Sequence, residues 1–256
     1  MSEVTQAQQL FDLTGEVVLV TGASSGLGAR FARVLAAHGA KVIAAARRVE
    51  RLEELAKESA NTAPLAMDVS RPGSLAAGLA EAAKAFGPLT MLVNNAGVAG
   101  DGRAVDATLE DWRGVQGVNV EAVWELSRLF ARDLIARKAK GSIINIASLT
   151  SYKVGESSAS YAISKAAVLH MTKAHAFEWA RHGIRVNAIC PGYIHSEMTD
   201  DYLASSEGEK MIKRVPQRRA GDPSDLDGTL LLLASPRASG FMTGSAILVD
   251  GGHALA

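Results

Sequence analysis

Short apolar runs alternate with longer segments of helical period almost from one end of the chain to the other. Residues 17–20, 41–46, 64–67, 91–93, 142–146, 185–189 and 246–249 read as strands, several of them apolar at nearly every position. Between them, residues 29–38, 51–58, 75–86, 112–137, 159–181 and 226–234 carry apolar side chains at helical spacing. A strand with no polar alternation is buried on both faces. Runs of this kind separated by helices predict a parallel sheet covered on both sides. Right-handed crossovers then make a doubly wound α/β fold of about seven strands, with a ligand crevice beyond the carboxyl ends of the strands.

Two segments depart from this alternation. Residues 98–107, with Gly100, Asp101 and Gly102, read as a loop after the fourth strand. Residues 191–215 form a long connection after the sixth, opening on Pro191 and Gly192 and containing helical fragments. Insertions at strand carboxyl ends are where such folds build lids and substrate pockets. No repeat, linker or low-complexity run divides the chain. We expect one catalytic domain over residues 14–256, preceded by a polar extension, 1–13, with 191–215 as the substrate segment.

Composition narrows the function classes. The chain has 256 residues, 48% of them hydrophobic, enough for one large core. Its formal net charge is zero, so no electrostatic footprint points to nucleic acid or an anionic membrane, and nothing opposes self-association. Cys190 is the only cysteine, which excludes an intrachain disulfide and suits a reducing compartment. Residues 1–13 lack the apolar core of a signal peptide, and no apolar run approaches the ~20 residues of a membrane span. A cytoplasmic protein is expected.

The first strand runs into Thr21-Gly22-Ala23-Ser24-Ser25-Gly26-Leu27-Gly28 and then a helix. Gly22 suits a sharp turn, Gly26 a close backbone approach to a pyrophosphate, and Gly28 tight helix–strand packing. The helix N-terminus directs free N–H groups and partial positive charge at the phosphates. Strand, glycine turn and helix in this order predict a dinucleotide site in a Rossmann-like domain. At the end of the second strand, an acidic residue would bind the adenosine ribose of NAD, whereas arginine accommodates the 2′-phosphate of NADP. This chain has Ala46, Arg47 and Arg48 there, with no acid before Glu50, so NADP(H) is expected over NAD(H). Alternatively, both arginines are solvated and pair with Glu50, Glu53 or Glu54.

Tyr161 and Lys165 stand four apart in a segment of good helix formers and so share a helix face. A tyrosine of ordinary pKa, about 10, exchanges protons poorly at neutral pH; a neighbouring ammonium lowers that value towards acid–base use. Alone, Tyr-x-x-x-Lys is more often a surface pair.

The ordered set Thr21-Gly22-x-x-x-Gly26-x-Gly28, Asp68-Val69, Asn94-Asn95-Ala96-Gly97, Asn119, Ser148, Tyr161-x-x-x-Lys165 and Pro191-Gly192 resembles the short-chain dehydrogenase/reductase family, from about residue 13 to 253. The resemblance implies an NAD(P)-dependent oxidoreductase moving hydride between nicotinamide and a ketone or secondary alcohol. Tyr161 would be the general acid or base, and Lys165 would lower its pKa and bind the nicotinamide ribose. Ser148 would stabilise the reacting oxygen, and Asn119 would interrupt its helix and hold a water behind Lys165. The cofactor would contact Gly22, Ser24, Ser25, Gly26, Leu27, Gly28, Arg47, Arg48, Asp68, Val69, Asn95, Ala96, Gly97, Tyr161, Lys165, Pro191, Gly192, Ile194 and Ser196. Departures are mild: Glu121 and Ala122 stand where glycine often follows Asn119, Ser196 where threonine is frequent, and Ser25 where NADP-specific members often carry a basic residue. Phosphate recognition would then fall mainly to Arg47.

Loop placement puts Ser148, Leu149, Thr150, Val154, Gly155, Tyr193, Met198, Tyr202 and Leu203 around Tyr161. That wall has two phenols and no arginine, which favours a neutral small-molecule carbonyl or alcohol over a small charged acid. A 3-oxoacyl thioester reductase is the alternative, with Lys210, Lys213, Arg214, Arg218 and Arg219 meeting a phosphorylated carrier. A nucleotide-sensing scaffold is disfavoured by the intact Asn119, Ser148, Tyr161 and Lys165, and a nucleotide-sugar epimerase by the short carboxyl-terminal part. The six histidines lack metal spacing; His170 and His175, five apart, do not share a face as a three- or four-residue pair would, and no metal is expected. Trp112, Trp124 and Trp179 read as packing anchors. Residues 112–137 and 159–181 hold more apolar and small residues than one buried face uses, and the resemblance implies a homotetramer built on them.

Overall fold

A computed structural model of the chain describes residues 6–100 and 102–256. Asp101 of the expected loop and residues 1–5 of the extension lie outside the described residues. Strands β1 (Val17–Thr21), β2 (Lys41–Ala46), β3 (Thr62–Ala66), β4 (Met91–Asn94), β5 (Gly141–Ile146), β6 (Ile184–Pro191) and β7 (Ala246–Val249) form one sheet in the order β3-β2-β1-β4-β5-β6-β7. Every pairing is parallel. All seven expected strands are present, displaced by a few residues at most. The order reverses direction between β1 and β4, which opens a crevice beyond their carboxyl ends.

Around the sheet run α1 (Ala7–Leu10), α2 (Gly26–Ala37), α3 (Val49–Lys57), α4 (Leu75–Phe86), α5 (Leu109–Gln116), α6 (Ala122–Arg137), α7 (Ala159–Trp179), α8 (Asp200–Leu203), α9 (Ser206–Ile212), α10 (Asp227–Ala234) and α11 (Pro236–Ser239). Burial explains the layering. Along β1, Val18 and Val20 join a cluster with Phe31 and Leu35 of α2, Leu52 of α3 and Leu230 of α10. Val17 and Leu19 point the other way, into Leu75 of α4 and Leu126, Phe130 and Leu134 of α6. Successive strand side chains face opposite sides, so a strand apolar throughout is stable only between two helical layers. Pro64 lies in β3, at the sheet edge, where its missing N–H costs no interior ladder bond.

The helix read as 112–137 is not continuous. It begins at Leu109, because Thr108 and Asp111 form a reciprocal capping box. It then passes through a π-helical turn, Gly117–Glu121, before α6. The expected extension is also tied to the domain. Leu13 is fully buried in the first cluster, Ser235 Oγ donates to the Leu10 carbonyl at 2.6 Å, and Leu13 N donates to His38 O at 2.8 Å.

Candidate active site

The β1–α2 turn folds as its glycines require. Gly22 has φ +67°, and a Cβ there would sit 2.8 Å from Ala96 Cα; Gly28 could carry no side chain, since a Cβ would lie 2.3 Å from Gly22 O. Thr21 Oγ1 accepts from Asn95 N and Ala96 N, both at 3.1 Å, and Asn95 Nδ2 donates to Thr21 O at 2.9 Å. These bonds hold the turns after β1 and β4 together at the crevice. Ser25 makes no side-chain cap, so the first N–H groups of α2 have no intrahelical acceptor.

Every residue expected to contact the cofactor lines one cavity of about 320 Å³ at this point, from Gly22 through Arg47, Asp68 and Asn95 to Lys165 and Ser196. A bare backbone cradle at an uncapped helix N-terminus fits a pyrophosphate. Arg48, rather than Arg47, makes the polar contacts with the turn. Its Nη2 donates to Ser25 Oγ at 2.6 Å and its Nε to Ser24 Oγ at 3.2 Å. Nor do the nearby acids of α3 take it: Arg48 pairs with Glu197 at 3.1 Å, and Arg51 pairs with the same carboxylate. Arg47 acts instead on Asp68, helping Ser70 and Arg71 to hold that carboxyl below its usual range.

At the nicotinamide end expected from the sequence, Ser148 and Tyr161 line the same cavity as Lys165. Ser148 Oγ accepts from Thr150 N at 3.1 Å, which anchors the hydroxyl and leaves its proton for another acceptor. Lys165 is 5% exposed; its Nζ donates to Ile146 O at 2.8 Å and lies 5.6 Å from the centre of the Tyr161 ring. Asn119 is fully buried behind the cavity in the π-helical turn. Its Oδ1 accepts from Val98 N at 2.9 Å, and its Nδ2 donates to Val98 O and Ser164 Oγ, both at 3.0 Å. The expected local interruption of the helix is therefore present, and Asn119 fastens the loop after β4 to α7.

The charge states differ from the expectation in one respect. Burial pushes the Tyr161 phenol above its ordinary value, and the Ser148 hydroxyl only partly opposes it. The Lys165 ammonium, 5.6 Å from the ring centre, does not reverse this shift. Burial also pulls Lys165 down to about 8, so it remains mostly cationic at neutral pH.

Of the expected substrate contacts, Ser148 and Met198 line the main cavity; Thr150, Val154, Gly155, Tyr193 and Tyr202 do not. Tyr193 and Tyr202 stack with ring centres 5.5 Å apart, and His253 packs against Tyr193 at 5.7 Å. Val154 and Met198 are exposed. Sequence reasoning missed Glu197, the carbonyl of Ile146 and the hydroxyl of Ser164. A main-chain carbonyl has no sequence signature, and Glu197 is 149 positions from Arg48. Among the described residues no group of three or more His, Cys, Asp or Glu could hold a metal, and no helix is long and apolar enough to cross a membrane.

Residues 22–254 match a family model described as enoyl-(acyl carrier protein) reductase. The chain is 39% identical over 249 residues to galactitol 2-dehydrogenase (L-tagatose-forming) of Cereibacter sphaeroides, covering 95% of this chain and 97% of that one. It is 36% identical over 248 residues to gluconate 5-dehydrogenase of Gluconobacter oxydans, covering 95% and 96%. A crystal structure of a gluconate 5-dehydrogenase from Burkholderia cenocepacia in complex with NADP and tartrate superposes with a TM-score of 0.92 at 32% identity, over 98% of this chain and 100% of that one. With the glycine turn, the cleft at the strand reversal and near full-length relatives in agreement, this chain belongs to the short-chain dehydrogenase/reductase family, nicotinamide-dependent oxidoreductases acting on CH–OH and C=O groups.

Proposed function

We propose that the protein interconverts a secondary alcohol and a ketone on a polyhydroxylated small molecule, with NADP(H) preferred over NAD(H). The observation that carries this reading is the convergence of Ser148, Tyr161 and Lys165 on the cavity that holds the glycine turn, with Asn119 bound behind it. When bound, the nicotinamide supplies or accepts the hydride. The chain's own residues handle the proton and the oxygen. Burial keeps the Tyr161 phenol protonated, ready to donate to a carbonyl oxygen in reduction. In oxidation the phenolate needs a counter-charge, and Lys165, cationic at neutral pH, is the buried cation beside it. Ser148 presents its free proton to the oxygen on which charge grows.

Support for a polyhydroxylated substrate comes from the relatives named for galactitol and gluconate. NADP preference is supported by Arg47, Arg48, Ser24 and Ser25 in the cavity wall and by NADP in the Burkholderia structure. The acyl-carrier alternative loses part of its basic surface, since Arg219 pairs with Asp225 and Arg218 donates to the Lys213 carbonyl. Residues 14–256 act as one catalytic domain in this reading. A cytoplasmic location is supported by the single cysteine, Cys190, which is buried and free. Exposed Trp124, Ile163 and Phe177 on α6 and α7, with Phe241 and Leu255 towards the carboxyl end, support a homotetramer.

The test is a panel of alditols, aldonates and simple ketones and alcohols assayed with both cofactors. Turnover of at least one polyol or sugar acid, faster with NADP(H), is expected, and Tyr161→Phe should lower kcat by about 100-fold or more. Turnover confined to simple ketones or acyl thioesters refutes the substrate class.

A further inference from the structure

The substrate segment reaches across the mouth of the cofactor cavity at one residue. Glu197 lines that cavity with Ser196, Met198 and Thr199, and its carboxylate spans Arg48 of the cavity wall and Arg51 of α3. Arg48 Nη1 holds Oε2 at 3.1 Å and Arg51 Nη1 holds Oε1. The same Arg48 guanidinium is bound through its other nitrogens to Ser24 and Ser25 on the glycine turn. Arg48 and Arg51 are thus donors gathered on one anion, the Glu197 carboxylate, while the Ser24 and Ser25 hydroxyls accept from Arg48 and hold it in place.

We infer that Glu197 is a cofactor-specificity residue carried by the substrate segment: it occupies the arginines that a 2′-phosphate needs, and must give them up when NADP(H) binds. The inference rests on the reading of this cavity as the NADP(H) site. A phosphate dianion and a carboxylate cannot share one guanidinium without repulsion, so the 2′-phosphate either displaces Glu197 or binds against its charge. A ribose 2′-hydroxyl carries no charge and leaves the pair intact. Glu197 therefore lowers affinity for NADP(H) selectively and links the adenosine end to the segment that begins at Pro191. By reciprocity, whatever NADP(H) gives up to free Arg48 and Arg51, the segment loses in anchorage. The pairs are exposed, with side chains 45–54% accessible, so the effect is modest.

The experiment measures Kd for NADP+, NAD+ and 2′,5′-ADP by calorimetry on the full chain and on Glu197→Gln, which keeps the side-chain shape. NADP+ and 2′,5′-ADP should bind about threefold to tenfold tighter to the variant, with NAD+ changed by less than about twofold. In an Arg48→Gln background the same substitution should have much less effect, since the contested cation is gone. Hydrogen exchange should show Ser196–Ile212 less protected with NADP+ than with NAD+ in the wild type. An NADP+ to NAD+ affinity ratio that Glu197→Gln leaves unmoved, or a gain that survives loss of Arg48, overturns the inference. A wild-type preference for NAD+ would instead refute the NADP(H) reading, while the shift in the ratio still judges Glu197.

Discussion

Lys165 is 5% exposed, and removing its ammonium from water takes its pKa from 10.5 to about 8. That drop corresponds to about 3 kcal/mol of stability forgone when the lysine is charged. A folded pKa below the unfolded one means that the cost is complete below pH 8 and fades as pH rises from 8 towards 10.5. Lys165→Met should therefore stabilise the fold at pH 7 while abolishing activity. The Ile146 carbonyl left without its donor takes back about 1–2 kcal/mol, leaving a gain of about 2–6 °C in Tm. The gain should shrink between pH 8 and 10 in thermal melts. A lower Tm at pH 7, or a gain flat with pH, would show that burial is not what sets this lysine's charge. The residue pair was legible as Tyr-x-x-x-Lys, but the direction of its pKa shifts was not, because desolvation depends on neighbours remote in the chain.

A buried polar chain joins the elements that present the site. Asn94 at the end of β4 donates to Ser127 of α6 at 3.0 Å and to Asn145 of β5 at 2.8 Å; Asn145 donates to Thr172 of α7 at 2.9 Å. All four are buried; the bonds to Ser127 and Thr172 each fix a helix against the sheet, and the Asn94–Asn145 bond joins two strands. Asn145→Ala leaves Asn94 Nδ2 with a single acceptor and Thr172 without its donor, and should cost about 2–4 kcal/mol. Urea denaturation checks this; a loss under about 1 kcal/mol would mean that apolar packing alone holds α6 and α7 in place. Helices and strands were readable from their periodicity. The π-helical turn at Asn119 was foreseen only as an interruption, since its form is set by bonds to Val98 and Ser164 across the fold.

For the whole molecule, two regions hold exposed apolar side chains on elements that could pair between subunits: Trp124, Ile135, Ile163 and Phe177 on α6 and α7, and Phe241, Leu248 and Leu255 in the carboxyl-terminal part with β7. His175, buried between Trp124 and Trp179 with both ring nitrogens unpaired, belongs to the first. Edge strand β7 leaves Leu248 38% exposed. Sedimentation velocity at micromolar concentration should give a tetramer, and Phe177→Glu should shift it towards smaller species with little effect on monomer stability, because Phe177 is 89% exposed. A wild-type monomer would refute the assembly.

Local sequence by itself determined the elements, their parallel arrangement and the glycine turn. Strand burial leaves an unbroken apolar run, and Gly22 and Gly28 stand where the backbone leaves no room for a Cβ. The four-residue spacing also put Tyr161 and Lys165 on one helix face, and the family resemblance marked Ser148. Tertiary structure alone decided the rest. It made Arg48 rather than Arg47 the donor that faces the turn, brought Glu197 to it from 149 residues away, and raised the phenol's pKa where adjacency to a lysine predicted the reverse. Spacing along a chain reports which groups share an element. Which charges meet, and how much water reaches them, depends on how separate elements pack.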